Sequence, residues 1–246
     1  MISIQQLRAI SRRTGLNLYQ QEKDYLLKLF LFAYYKANQD AVFKGGTSLR
    51  YLYGIDRFSE DLDFNLRVDS GTFRTQVSKV LKELNLMGIE AGFKREEEFK
   101  DAFTCEINYK GPLYEGPSSS RNKIRIDAGT RSGMLKEPEW RLIASEYPET
   151  KERFLVLVMN VEEMLVEKIA ALTERKKGRD LYDVWYLIST KVAVNRELLS
   201  KRSQREFDPH LLVSKEAYER DMRRLTSRVI PYEQVVKDIT MALGST

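Results

Sequence analysis

One histidine and one cysteine in 246 residues remove whole classes of chemistry. A lone Cys105 can form neither an internal disulfide nor a cysteine-rich zinc site. The only histidine, His210, excludes HExxH zinc hydrolysis and every multi-histidine metal site. A Ser-His-Asp triad would have to use it, and no GxSxG elbow exists to partner it. No GxxxxGKS/T phosphate loop is present either. No run approaches the roughly 18 consecutive apolar residues that a spanning helix needs. The opening MISIQQLRAISRRTG lacks the apolar centre of a secretory signal, so a cytoplasmic location is expected. Chemistry in this chain falls to carboxylates, lysines and a hard metal.

What is there is an ordinary soluble balance. Apolar residues make up 42% and charged residues 31%, enough for one large domain or two small ones. Lys and Arg number 41 against 36 Asp and Glu, a net charge of +5 that permits a polyanionic partner without requiring one. Two basic groups stand out: Arg175, Lys176, Lys177 and Arg179, and then Arg220, Arg223, Arg224 and Arg228 at helical spacing. Either alone reads as a solvated helix face.

Periodicity predicts helices over 5–15 and 18–38, the second with Tyr25, Leu26, Leu29, Phe30, Phe32 and Ala33 at three- and four-residue intervals. Ala41 to Lys44 is a short strand stopped by Gly45-Gly46, after which 47–53 is helical. Asp61-Leu62-Asp63-Phe64-Asn65-Leu66 alternates at period two, as a half-buried strand does. A helix over 72–87 follows, then alternating strands over 103–109 and 123–127. These two read as an antiparallel pair joined by the Gly- and Pro-containing loop 111–120. Residues 154–159 form an apolar strand. After Asn160, a fitting N-cap, helices are expected over 161–174, 179–190, 195–202, 214–229 and 232–243. The expected class is therefore mixed α/β, with an α/β domain over 1–159 and a helical domain over 160–246.

Asp61 and Asp63 lie one residue apart on a strand, so both side chains share a face. Carboxylates held that close repel unless a cation sits between them, and oxygen ligands suit Mg²⁺ or Mn²⁺. Asp127 ends another alternating strand, with Arg125 on its face and Ile124 and Ile126 on the other. If the two strands are neighbours, three carboxylates converge as a cage for phosphoryl transfer. A D-x-D alone is more often the polar face of a sheet. Here, however, Lys44-Gly45-Gly46-Thr47 precedes it at a strand-to-helix junction, where backbone N–H groups and the helix N-terminus can cradle a phosphate. That order is the one a nucleotidyltransferase needs.

The run from Val42 through Lys44-Gly45-Gly46-Thr47-Ser48-Leu49-Arg50 to Gly54, then Arg57-Phe58-Ser59-Glu60-Asp61-Leu62-Asp63-Phe64, closely resembles the signature of the AbiEii/AbiGii toxin family. A second matching block runs from Glu163 through Glu167-Lys168-Ile169 to Leu172, continuing to Arg179-Asp180-Leu181-Tyr182-Asp183. The resemblance covers about two thirds of the chain. The family holds nucleotidyltransferase-like toxins of abortive-infection and type IV toxin–antitoxin systems, the MenT-like toxins among them. The resemblance implies a polymerase-β-like nucleotidyltransferase core with a mixed sheet and a helical C-terminal domain. It implies an NTP substrate and Mg²⁺, with Mn²⁺ as a substitute, and nucleotide addition to the 3′ end of tRNA that blocks translation. It also implies a cognate antitoxin protein. By position, Gly45, Gly46 and Thr47 would hold the triphosphate, Asp61 and Asp63 the metals, and Lys168 and Asp180 would be the remaining essential pair. Thirteen residues separate Thr47 from Asp61, more than in ordinary nucleotidyltransferases but as in this toxin family.

The residues themselves agree in part. Lys168 shares a helix with Glu163 and Glu167 and can reach triphosphate oxygens, or simply form a surface pair. Asp180 suits a helix cap as well as a site; the resemblance favours the site. Asp127 would complete the metal cage and accept the hydroxyl proton. Asp183, one turn on from Asp180, is a weaker candidate. The Ser59 hydroxyl either joins the nucleotide site or bonds to loop backbone. Arg57 either meets a phosphate or fixes its loop. Of Tyr182, Trp185 and Tyr186, at most one can stack on a base. Two other readings remain: the same fold acting on a protein or small molecule, and a non-catalytic interaction module.

Overall fold

The computed structural model describes residues 1–117, 120–130, 133–202 and 213–244, and the chain divides into two compact units. His210 lies outside the described residues. The first unit comprises Met1–Leu52, Glu60–Met134 and Pro138–Val158; the second comprises Tyr53–Ser59, Leu135–Glu137 and Met159–Thr246. Two short segments from within residues 1–159 thus belong with the helices.

The first unit is a seven-stranded mixed sheet with helices against it. In chain order it contains α1 (Ile4–Thr14), α2 (Leu18–Ala37), β1 (Ala41–Lys44), α3 (Gly45–Tyr53, its last residue in the second unit), β2 (Asp61–Leu66) and α4 (Ser70–Leu86). Strands β3 (Ala91–Phe99), β4 (Ala102–Tyr109), β5 (Asn122–Gly129), β6 (Glu139–Ala144) and β7 (Arg153–Val158) follow. The strand order is β3-β4-β5-β2-β1-β7-β6, with β2/β5 and β1/β7 parallel and the remaining pairs antiparallel.

Helices α1 and α2 each begin with a capping box, Ser3 with Gln6 and Asn17 with Gln20, which satisfies N–H groups the helix cannot. One face of the sheet and α2 and α4 bury an aromatic core of Phe30, Tyr34, Phe43, Phe64, Phe73 and Phe103. Burying rings of this size is the main apolar stabilisation of the unit. Cys105 on β4 is part of this core, and burial pushes its thiol up to about 12.

A buried polar row interrupts that apolar logic. Gln21, Glu22, Lys23, Asp24 and Lys28 of α2 are all buried. Asp24 accepts from Arg50 Nη1 at 2.8 Å, Tyr51 Oη at 3.0 Å and Tyr147 Oη at 2.7 Å. Burial opposes its charge, but Arg50 and Lys28 outweigh that and hold its carboxyl below the usual range. Because Arg50 and Tyr51 sit on α3, this network fixes the helix that opens with Gly45-Gly46-Thr47.

The second unit contains α5 (Val161–Arg175), α6 (Gly178–Ser189), α7 (Arg196–Arg202), α8 (Lys215–Met222) and α9 (Tyr232–Leu243). Asn160 caps α5, its side chain accepting from Glu162 N at 3.0 Å, as its position in the sequence predicts. Glu163, fully buried, accepts from Leu135 N and Lys136 N at 2.8 and 2.9 Å and from Arg202 at 2.5 Å. Those bonds tie the 135–137 segment to α5.

Two expectations need correction. The helix over 214–229 stops at Met222, where the Leu225 and Thr226 N–H groups both turn back to its carbonyl. Arg223, Arg224 and Arg228 therefore do not continue a helical row with Arg220. Two strands, β3 and β6, have no counterpart in the periodicity; they are the two edges of the sheet. No helix among the described residues is long and apolar enough to cross a membrane.

Candidate active site

In the first unit the site starts where β1 ends. Gly45 has φ +77°, a left-handed conformation that stops the strand and starts α3. A Cβ there would overlap the Asp63 carboxylate, so glycine is required for space as well as for conformation. Thr47 is buried and its hydroxyl donates to the Asp61 carbonyl at 2.6 Å, tying the turn to the start of β2. Ser48 donates to Gly45 O at 2.8 Å and closes the same turn.

The carboxylates lie in register. Asp63 stands opposite Lys44 on antiparallel β1 and opposite Asp127 on parallel β5, while Asp61 stands opposite Arg125. Period two then places Asp61, Asp63, Asp127, Arg125 and Lys44 on one face. Asp61, Asp63 and Asp127 are each half-buried. Asp127 is engaged on both oxygens. Arg125 reaches Oδ2 through Nε at 2.9 Å and Oδ1 through Nη2 at 3.1 Å, and Thr104 Oγ1 on β4 donates to Oδ1 at 2.9 Å.

The donor set at this face is all oxygen, the kind that takes Mg²⁺ or Mn²⁺, and Gly45 leaves the Asp63 carboxylate its room. In kind, the residues fit a hard divalent cation. Among the described residues, however, no group of three or more His, Cys, Asp or Glu is placed to hold a metal ion. Asp127 itself is forked to Arg125.

The second unit holds the other predicted residues. Lys168 on α5 donates to Asp180 Oδ1 at 3.1 Å and pairs with Asp183 Oδ2 at 2.8 Å, both on α6. Arg57 forks onto Asp183, Nε to Oδ1 at 2.5 Å and Nη2 to Oδ2 at 2.6 Å. This pair is almost sealed, with side-chain exposures of 3% and 0%. Burial works against each charge, yet the partners prevail. Arg57 and Lys168 hold the Asp183 carboxyl below the usual range, and Asp183 and Asp180 raise the Lys168 amine above its own. Arg175 adds a longer contact to Asp180 Oδ1 at 3.3 Å, while Asp180 Oδ2 is buried with no hydrogen-bond partner among the described residues.

Asp180 sits inside the first turn of α6, whose N-cap is Lys177, so the cap reading is excluded. Arg57 fixes its loop through Asp183, one of the two roles left open for it. Ser59 lies half-buried in the 53–59 segment of this unit. Tyr182, Trp185 and Tyr186 pack on one another, and their polar atoms bond to Asp56 O, Asp238 Oδ2 and Tyr53 O. All three rings therefore serve the unit's own packing.

Sequence reasoning passed over Arg125 as a partner for Asp127, although R-x-D on a strand puts both on one face. It also underweighted Asp183, whose partner Arg57 is 126 residues away along the chain.

A family model for the nucleotidyl transferase AbiEii toxin of type IV toxin–antitoxin systems matches residues 29–239. The chain belongs to this family. The match spans both carboxylate strands and the block from Lys168 to Asp183. Among solved structures, MenT4, a nucleotidyltransferase toxin from Mycobacterium tuberculosis H37Rv, is similar at a TM-score of 0.69 and 18% identity. That similarity covers 96% of this chain and 88% of MenT4. JHP933 from Helicobacter pylori is similar at a TM-score of 0.63 and 19% identity, over 92% of this chain and 90% of its own. At these identities the structural likeness speaks for the fold. No curated protein matches this AbiEii-family chain by sequence.

Proposed function

We propose that this AbiEii-family toxin transfers a nucleoside monophosphate from an NTP to the 3′ end of tRNA. The 3′-hydroxyl oxygen bonds to the α-phosphorus, the bond to the β-phosphate oxygen breaks, and pyrophosphate leaves. The hydroxyl proton passes to a carboxylate oxygen, a role assigned to Asp127. The observation that carries the reading is the in-register placement of Asp61, Asp63 and Asp127 on one face, beside a glycine whose bare Cα makes room for Asp63.

Asp61 and Asp63, with Asp127 as the third carboxylate, would hold Mg²⁺ or Mn²⁺; such an ion supplies positive charge for phosphate oxygens. Gly45 and Gly46 offer backbone N–H groups at the start of α3, where anions are favoured. Because the Thr47 hydroxyl is used on the Asp61 carbonyl, Thr47 contributes by fixing Asp61 and through its own N–H. Lys168 brings charge for the triphosphate, its amine oriented by Asp180 and Asp183. The Ser59 hydroxyl is the remaining nucleotide contact in this reading. A tRNA with an extended 3′ end cannot be aminoacylated, so growth stops in the cytoplasm until a cognate antitoxin protein intervenes.

The test is incubation of the purified chain and Mg²⁺ with total tRNA and each α-labelled NTP in turn, beside Asp61→Ala. Label in tRNA from wild type and none from the variant is the expected result. Label appearing in protein instead would move the acceptor to a protein, and no transfer from any NTP would overturn the reading.

A further inference from the structure

The carboxylate face carries its own cation. Arg125 stands on β5 opposite Asp61, as Asp127 stands opposite Asp63. Its guanidinium closes a two-point pair on Asp127, and its cross-strand neighbour Glu106 is already held by Lys94 and Lys123. The guanidinium therefore stands on the same face as all three acids, paired to one of them.

We propose that Arg125 is a built-in counter-ion of this face. It keeps Asp127 out of the metal ligand set, and a divalent cation recruits Asp127 only by displacing it. The inference rests on the reading of Asp61 and Asp63 as metal ligands. A fork-to-fork pair uses both carboxylate oxygens, so guanidinium and metal compete for the same atoms. The pair is also exchangeable. Side-chain exposures of 54% for Arg125 and 36% for Asp127 leave it solvated, where an ion pair is weak enough to be replaced. The Arg57–Asp183 fork, with its partners sealed from water, has no such freedom. Arg125 thus acts as a positioning residue, setting which carboxylates the cation meets first.

The test is Mn²⁺ binding to the full chain without nucleotide, followed by electron paramagnetic resonance of the free ion. Wild type, Arg125→Gln, Asp127→Asn and the double variant are compared, with thermal melts to show that each is folded. Arg125→Gln is expected to bind Mn²⁺ roughly three- to tenfold more tightly than wild type. That gain should vanish in the Asp127→Asn background. Equal affinity of wild type and Arg125→Gln would overturn the proposal. So would a gain that persists with Asp127→Asn, since it would reflect only the loss of a nearby positive charge. Asp61→Asn separates the two levels. If it abolishes binding while Arg125→Gln changes nothing, the metal reading stands and the role of Arg125 falls. If no protein shows Asp61-dependent binding, both fall.

Discussion

Acidic residues gather in each unit, and they are held in opposite ways. On the sheet of the first unit, Asp61, Asp63 and Asp127 are half-buried on one face, with lysine and arginine at the margins. Between α5 and α6 of the second unit, Asp180 and Asp183 are fully buried, and Lys168 and Arg57 neutralise them at 2.5 to 3.1 Å. The first arrangement keeps its carboxylates within reach of solvent and of a ligand. The second is neutralised from within its own unit, and its ion pairs hold α5, α6 and the 53–59 segment together. An aspartate therefore has two physical meanings here, and its exposure tells them apart.

The sharpest way to break this contrast is Asp183→Ala. It leaves the buried Arg57 with only its bond to the Phe58 carbonyl and Lys168 with Asp180 alone, and removing one member of a buried ion pair costs about 3–5 kcal/mol. Urea unfolding should show that loss, and a loss under about 1 kcal/mol would remove the structural role of the cluster. Asp180→Asn should cost less, because Asp180 already leaves one oxygen without a partner among the described residues. Next comes Asp61→Asn, for which nucleotide transfer should fall at least about 100-fold, equivalent to about 2.7 kcal/mol. Its unfolding free energy should stay within about 0.5 kcal/mol of wild type, as for a half-buried side chain outside the sealed cluster. A variant that unfolds as easily as Asp183→Ala would place both clusters in one class.

Gly45→Ala joins the two kinds of effect. The positive φ should cost about 1 kcal/mol or more of stability. The new methyl must also push aside the Asp63 carboxylate, so transfer should drop with it. Label incorporation and a thermal melt on the same sample read both.

The smallest effect is on pH. Asp183 has its carboxyl lowered in the fold from the ordinary 3.8, so its contribution is complete above that value and is lost as pH falls through the lower folded one. Lys168 is raised from 10.5, so its contribution is complete below that and is lost as pH rises through the higher folded value. Stability from this cluster should be flat from about pH 5 to 9, and Asp183→Asn should flatten the acid limb.

What the sequence discloses depends on how local the cause is. β2 is legible because Asp61 to Leu66 alternates strictly, and β5 because Ile124 and Ile126 do the same. The Asn160 cap and the stop at Gly45 are single-residue signals with single-residue causes. β3 escaped because Lys94, Arg95, Glu96, Glu97 and Glu98 show no period on an edge where most positions meet water, and a bulge shifts its register after Phe93. β6 escaped because Trp140, Arg141 and Leu142 are all exposed. In the site, the shared face of Asp61 and Asp63 follows from spacing alone. The neighbourhood of Asp127 does not, because α4, β3 and β4 intervene in the chain between β2 and β5. The fork between Arg57 and Asp183 is further beyond local pattern, since its partners meet only through the tertiary fold.

Cys105 gives the molecule a practical property. With its sulfur enclosed in the sheet and its thiol pushed up to about 12, the native chain presents almost no thiolate at neutral pH. Maleimides and nitroxide reagents should pass it by. A cysteine introduced at an exposed position in each unit would then take spin labels without any background mutation. Dipolar spectroscopy on that doubly labelled protein would follow the spacing of the units as Mn²⁺-free buffer, triphosphate and RNA are supplied in turn.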